Sequence, residues 1–300
     1  EKIVVYGDYD VDGITSTSIM MRCLSSLGAD VGYYIPQREK EGYGLNREAV
    51  NHLAEEGYHL LITVDCGISS AALISEAPKG LDIIVTDHHT PPELLPSCVA
   101  VLNPHQKDCP YPYKELAGCG VAYTLCRGLY MKRLGRDYDG TVELAALGTI
   151  ADVVSLTGEN RILVKEGMKR FIHTPIKGLA ALLKASGIVH DDTTEIRRAD
   201  QVSFGLAPRL NAAGRIARAS EGVRLMTTES AEEAERLAQK LCEINTMRQQ
   251  IERDIFEQAK SRMAELGIEN DMAVVVDGKD WHPGVIGIVA SRILESCHRP

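Results

Sequence analysis

The feature that most constrains this chain is the alternation, through its first hundred residues, of short apolar runs with amphipathic stretches. Runs at about 3–6 (Ile-Val-Val-Tyr), 31–35, 60–64 (Leu-Leu-Ile-Thr-Val), 82–86 (Asp-Ile-Ile-Val-Thr) and 99–102 read as strands. Between them lie helical patterns, one from about Thr15 to Leu27 stopped by Gly28 and one from about Asn46 stopped by Gly57. Strands separated by helices pair in parallel and need a helical layer on each face, so the expected class is α/β with a doubly covered parallel sheet.

Beyond this region the pattern changes. Residues 118–186 read as mostly helical, with Gly118-Cys119-Gly120 opening one helix and Thr141 capping another. Ser230, followed three positions later by Glu233, forms a capping box, and a helical pattern then runs to Gly267. Its charged sequence, typified by Arg248-Gln249-Gln250-Ile251-Glu252-Arg253, predicts a solvent-bridging connector. A strand at Met272–Val276 is expected to begin a second, smaller α/β unit. The division is thus 1–228 for a first domain, 229–268 for the connector and 269–300 for the start of the second, in keeping with the size limit of single cores. Glu1 and Pro300 read as cuts within a longer chain.

A net charge of -9 argues against a surface drawn as a whole to nucleic acid, although bound cations could neutralise clustered acids. No apolar run reaches the roughly 18 to 20 residues of a membrane span. Eight cysteines without a CxxC pair, and no signal-peptide pattern, point to reduced thiols in the cytoplasm.

Acids and histidines cluster just after three of the strands, where open parallel sheets place their sites. Gly7-Asp8-Tyr9-Asp10-Val11-Asp12-Gly13 sets three carboxylates at alternate positions, which on an extended backbone point the same way and repel unless a cation intervenes. A calcium loop or a solvated acidic turn is the alternative, but an EF-hand fails for want of a glutamate at loop position 12. Thr63-Val64-Asp65-Cys66-Gly67 follows the third strand, and Thr86-Asp87-His88-His89 the fourth. Mixed oxygen and nitrogen ligands of this kind suit manganese, and magnesium less well. Gly148-Thr149-Ile150-Ala151-Asp152-Val153-Val154 puts a further acid in an apolar helix, where it needs a partner or caps the next turn.

In this order and spacing, GDYDVDG, VDCG, DHH and GTIADVV resemble the signature of the DHH phosphoesterases. The segments Gly205–Arg215 (GLAPRLNAAGR) and Trp281–Arg292 (WHPGVIGIVASR) resemble its RecJ branch, so the likeness spans essentially the whole chain. The resemblance implies Asp10, Asp12, Asp65, His88 and Asp152 as ligands of two Mn2+ or Mg2+ ions, with Asp65 bridging. It implies His89 facing the phosphate and Asp8 as an outer-sphere or occasional ligand. Tyr6 stands where many members carry a histidine, which predicts a weaker or water-completed first site. Two divalent ions would balance four ligand aspartates, leaving a site that an anionic phosphodiester can enter.

Arg209, Asn211 and Arg215 are read as substrate residues, an arginine fork on phosphate oxygens, against a loop merely held by arginine salt bridges. His282 and Gly284, with Gly287, would form a helix N-terminal anion site resembling that of the DHH-associated domain, against simple tight packing. The implied activity is 5'-to-3' removal of mononucleotides from single-stranded DNA in recombination and repair. The further implications are a monomer, with a single-strand-binding protein or helicase as partner. A DHH enzyme of short oligonucleotides, cyclic dinucleotides or pyrophosphate is one alternative, and a non-catalytic replication scaffold another.

Overall fold

The computed structural model describes residues 1–189, 196, 198–268 and 271–300. In chain order come β1 (Lys2–Tyr6), α1 (Val11–Ser26), β2 (Asp30–Tyr34), α2 (Arg38–Glu41), α3 (Arg47–Glu55), β3 (Leu60–Thr63), α4 (Ala71–Ser75), β4 (Asp82–Thr86) and β5 (Ala100–Leu102). All pairings are parallel, in the order β2-β1-β3-β4-β5. The chain reverses its direction of winding between β1 and β3, which opens a crevice at the carboxyl ends of those strands. Alternation along β1 feeds both faces: Val5 packs with α1, while Val4 and Tyr6 pack with Val50 and Leu53 of α3.

The expected helical region follows as α5 (Gly118–Leu134), α6 (Val142–Ala151), α7 (Gly158–Arg170), α8 (Lys177–Ala185), α9 (Ala199–Gly205), α10 (Ala207–Ile216) and α11 (Ser220–Thr227). α1 is enclosed by the sheet and these helices, so even the hydroxyl residues Thr15, Ser16, Thr17 and Ser18 are buried. Two of them bond back along the helix, Thr15 donating to the Val11 carbonyl at 2.8 Å and Ser18 to the Ile14 carbonyl at 2.7 Å, whereas the Ser16 and Thr17 hydroxyls have no partner among the described residues. Thr141 stands at the start of α6 but makes no capping bond with its side chain.

The long helix α12 (Ala231–Leu266) runs for 36 residues and is capped as expected by Ser230, which accepts from the Glu233 N–H at 3.2 Å. The box is only half formed, because the Glu233 carboxylate takes the Thr228 hydroxyl instead. The expected solvent-bridging character needs correction. Leu237, Ala238 and Leu241 sink into the first core, and Ile255, Ala259 and Met263 pack on Val285, Val289 and Ile293 of α13 (Pro283–Cys297). The helix is therefore amphipathic along its length, joining two cores through one apolar stripe.

The strand expected at Met272–Val276 is not formed. Met272 and Val275 are 86% and 84% exposed, and Val274 N–H donates to the Pro300 carbonyl rather than into a ladder. Apolar alternation alone does not make a strand without a neighbour to satisfy its backbone. The boundary expected at 269 lies outside the described residues.

Candidate metal centre

Four segments deliver their acids and histidines to the crevice. Asp10 caps α1, its Oδ1 accepting from the Gly13 N–H at 3.0 Å. Two residues on, Asp12 meets the N-terminus of α5, where Oδ2 accepts from Gly118 N–H at 2.6 Å and Oδ1 from Cys119 N–H at 2.8 Å. Both oxygens are thus aimed by unsatisfied amides of a helix start, which favour negative charge. Only glycine fits there, because a Cβ on Gly118 would lie 2.7 Å from Asp65 Oδ1 and 2.9 Å from Asp12 Oδ2. Gly148 is equally confined, with Asp12 Oδ1 at 2.9 Å and Thr15 Oγ1 at 2.3 Å from its would-be Cβ.

Asp65 follows β3 with a left-handed backbone (φ 60°) that brings its carboxylate inward. His88 Nε2 lies 3.1 Å from Asp65 Oδ1 and 3.7 Å from both Asp12 Oδ2 and Asp152 Oδ2. Asp152 ends α6, its N–H bonded to the Gly148 carbonyl at 2.9 Å. Three sets of atoms lie close enough to share a cation: Asp12, His88 and Asp152; Asp8, Asp10 and Asp65; and Asp65, His88 and His89. Asp65 belongs to two of them, the position of a bridging ligand. His89 is also within reach of a cation, which the sequence did not foretell.

The electrostatics fit divalent metal. Buried Asp8 Oδ1, Asp65 Oδ1, His88 Nε2 and Asp152 Oδ2 have no hydrogen-bond partner despite their mutual proximity. Lone pairs pointed at lone pairs in a buried site are costly, and a cation relieves them all. Burial and then the neighbouring Asp12 and Asp10 push the Asp65 carboxyl well above its ordinary range. The same causes raise Asp152 to about 8, while burial and Asp10 raise Asp8 to about 7. Burial holds His88 below its ordinary value, leaving a neutral imidazole free to ligate.

His89 is set differently. Its Nδ1 lies 2.7 Å from Asp87 Oδ1, and this bond, more than any other influence, raises the imidazole pKa. Asp87 is buried, which would raise its own pKa, but the bonds from His89 and Ile68 outweigh this and hold it low. The hydroxyl of Tyr43 stands 3.3 Å from the His89 ring and donates to the Asp65 carbonyl. Neither Asp87 nor Tyr43 was picked out from sequence; the adjacency of Asp87 to two histidines was the available signal for the first. Tyr6, by contrast, lies on the far side of the sheet. Its hydroxyl donates to the Gly44 carbonyl at 3.1 Å and its ring stacks on Tyr34.

The residues expected to bind substrate divide. Arg215 is partly buried near Arg38 and Arg248, and donates to the Gly284 carbonyl at 3.0 Å. Arg209 points elsewhere: its guanidinium donates to the carbonyls of Gly205 and Ser186 and to Cys242 Sγ. Carbonyls and a thiol, rather than the anticipated carboxylates, hold it. Asn211 Oδ1 accepts from Val11 N–H at 3.2 Å, so it anchors the acidic loop to α10. His282 caps α13, with Nδ1 accepting the Gly284 N–H at 3.1 Å and Nε2 3.5 Å from Glu39 Oε1. That amide is therefore occupied, and a Cβ on Gly284 would meet the Arg215 carbonyl at 2.2 Å. Close packing against Arg215 is thus what requires glycine at 284.

Residues 2–150 match the family model described as DHH family, N-terminal domain. The chain is 44% identical to the single-stranded-DNA-specific exonuclease RecJ of Bacillus subtilis, over all of this chain and 37% of that protein. A crystal structure of exonuclease RecJ bound to manganese superposes with a TM-score of 0.88 at 41% identity, covering 99% of this chain and 74% of that one. The chain belongs to the RecJ branch of the DHH family. RecJ of Thermus thermophilus in complex with Mn2+ is similar too, with a TM-score of 0.85 at 39% identity over all of this chain and 42% of the other. In this RecJ-branch chain the family's parallel sheet, flanking helices and long connector are all present. The chain spans about half or less of the curated RecJ relatives, 37% of the Bacillus subtilis protein and 54% of that from Escherichia coli. No helix among the described residues is long and apolar enough to cross a membrane.

Proposed function

We propose that this chain is the catalytic core of a metal-dependent exonuclease that hydrolyses single-stranded DNA from the 5' end to 5'-mononucleotides. The observation that carries the reading is the meeting of four partnerless buried polar atoms, on Asp8, Asp65, His88 and Asp152, at one sheet edge. Asp10, Asp12, Asp65, His88 and Asp152 would hold two Mn2+ or Mg2+ ions, with Asp65 shared and Asp8 at the margin. Such ions, when bound, acidify a water and stabilise the attacking and leaving oxygens of an in-line displacement.

The chain's own groups do the rest. The amides of Gly118 and Cys119 fix Asp12, and the Asp87 carboxylate fixes Nδ1 of His89, leaving Nε2 to donate a proton to the scissile phosphate. Arg215, placed between α10 and α13 with unspent N–H donors, supplies positive charge to the incoming backbone. The domain division at 1–228, 229–268 and 269–300, the last as the beginning of a DHH-associated domain, belongs to the same reading. So do action as a monomer in the cytoplasm, where eight free thiols persist, and work beside a single-strand-binding protein or helicase in recombination and repair.

The test offers the chain, with Mn2+, a long 5'-phosphorylated single strand and a dinucleotide side by side. Preferential release of mononucleotides from the long strand is expected. Faster turnover of the dinucleotide would reject the exonuclease reading.

A further inference from the structure

Val153, the residue after Asp152, has a left-handed backbone (φ 61°). Among the described residues it is the only β-branched one so placed, the other non-glycine cases being aspartates and a histidine. Such a conformation is a genuine outlier for valine, because both Cβ branches crowd the adjacent peptide groups. Packing does not repay it: the side chain is 84% exposed.

The surroundings enforce the turn from both sides. Upstream, α6 holds Asp152 through its N–H bond to the Gly148 carbonyl. Downstream, Val154 packs on the main core, and the Ser155 carbonyl accepts from buried Asn160 Nδ2 at 3.0 Å and from the Tyr113 hydroxyl at 3.3 Å. The same hydroxyl bonds the Thr157 carbonyl at 2.8 Å, and Gly158 lies so close to the Tyr113 ring that a Cβ there would fall 2.4 Å from Cε2. Strain persists where neighbours over-determine it, and it gathers at functional sites. Asparagine or glycine would adopt this backbone with less strain, so stability does not account for valine. What valine does supply is narrowness: its left-handed well is small and steep-walled, whereas glycine's is broad.

We infer that Val153 is a positioning residue whose constrained left-handed backbone fixes the direction in which Asp152 presents its carboxylate to a divalent cation. This rests on the reading of Asp152 as a metal ligand. It separates two properties that ordinarily move together, since relaxing the turn stabilises the fold while loosening the grip on metal.

The test titrates Mn2+ alone into the metal-free full chain by calorimetry and follows thermal unfolding in EDTA, for Val153→Gly, Val153→Asn and Asp152→Ala. Val153→Gly is expected to weaken Mn2+ binding about 10-fold, the size of effect usual for groups that orient metal ligands. It should not lower Tm, and a rise of about 2–4 °C is expected. Val153→Asn, whose side chain favours the left-handed region, should raise Tm as much yet keep Mn2+ affinity within about twofold. Wild-type affinity in Val153→Gly, equal losses in both valine variants, or a lowered Tm in both overturns the proposal. Asp152→Ala separates the two levels: if it binds Mn2+ like wild type, the ligand reading itself falls. If it binds weakly while Val153→Gly does not, only the positioning role is lost.

Discussion

The carboxylate rim and the surroundings of α10 and α13 are both rich in polar residues, yet the two regions treat those residues in opposite ways. At the rim, Asp8, Asp65, His88 and Asp152 each keep a buried atom with no partner. Around α10 and α13, Arg209 has two carbonyls and a thiol, Asn211 has the Val11 amide, and His282 has the Gly284 amide. Folding normally satisfies buried polar groups, and although Ser16, Thr17 and Glu143 also keep a buried atom without a partner, among the described residues only at the rim do such atoms belong to groups that could share a cation.

Predictions follow the same contrast. Asp65→Ala removes the carboxylate common to two candidate cation sites and should lower hydrolysis by at least about 10³-fold. Because it also deletes a repelled, buried carboxylate, Tm in EDTA should stay level or rise. Wild-type turnover in a steady-state assay would strike Asp65 from the mechanism.

A paired substitution in α10 probes the other half. Arg209→Ala strands the Gly205 and Ser186 carbonyls and should cost about 1–3 kcal/mol of stability, read by denaturant unfolding, with KM for a single strand scarcely moved. Arg215→Ala should raise KM several-fold instead. Equal rises in KM for both would return Arg209 to the substrate and blur the distinction between the two regions.

The smallest effect is one of pH. Asp152 at about 8 and Asp8 at about 7 bind protons more tightly folded than unfolded, so their contribution to stability is lost as pH rises through those values. Metal-free protein should therefore gain about 1 kcal/mol between pH 9 and pH 7. His88, held below 6.5, acts with the opposite sign only at lower pH. Saturating Mn2+ should flatten the trend, because cations then stand where protons stood. A metal-free profile that is flat over this window would show that the rim's carboxyls are not mutually strained.

Much of this was legible in the primary chain, and for identifiable reasons. Parallel strands buried on both faces leave apolar runs that local reading detects, and the acids of GDYDVDG, VDCG and DHH lie within a few residues of strand ends. Less local facts escaped it. That Met272–Val276 joins no ladder among the described residues, and that α12 serves two cores, depend on what each segment meets. Gly118 could be read as a helix opener but not as the one residue that leaves room for Asp12 and Asp65.

By itself, the order of residues determined the alternating α/β scaffold, the long helix and the set of acids and histidines that gather after strands, because these depend on periodicity and spacing within short windows. Tertiary structure alone decided which polar atoms remain without partners, which groups each arginine of α10 meets, and that the valine after Asp152 takes a left-handed backbone. Those outcomes are set by distances between segments far apart in the chain, where burial and close approach, rather than residue type, decide what each group is free to do.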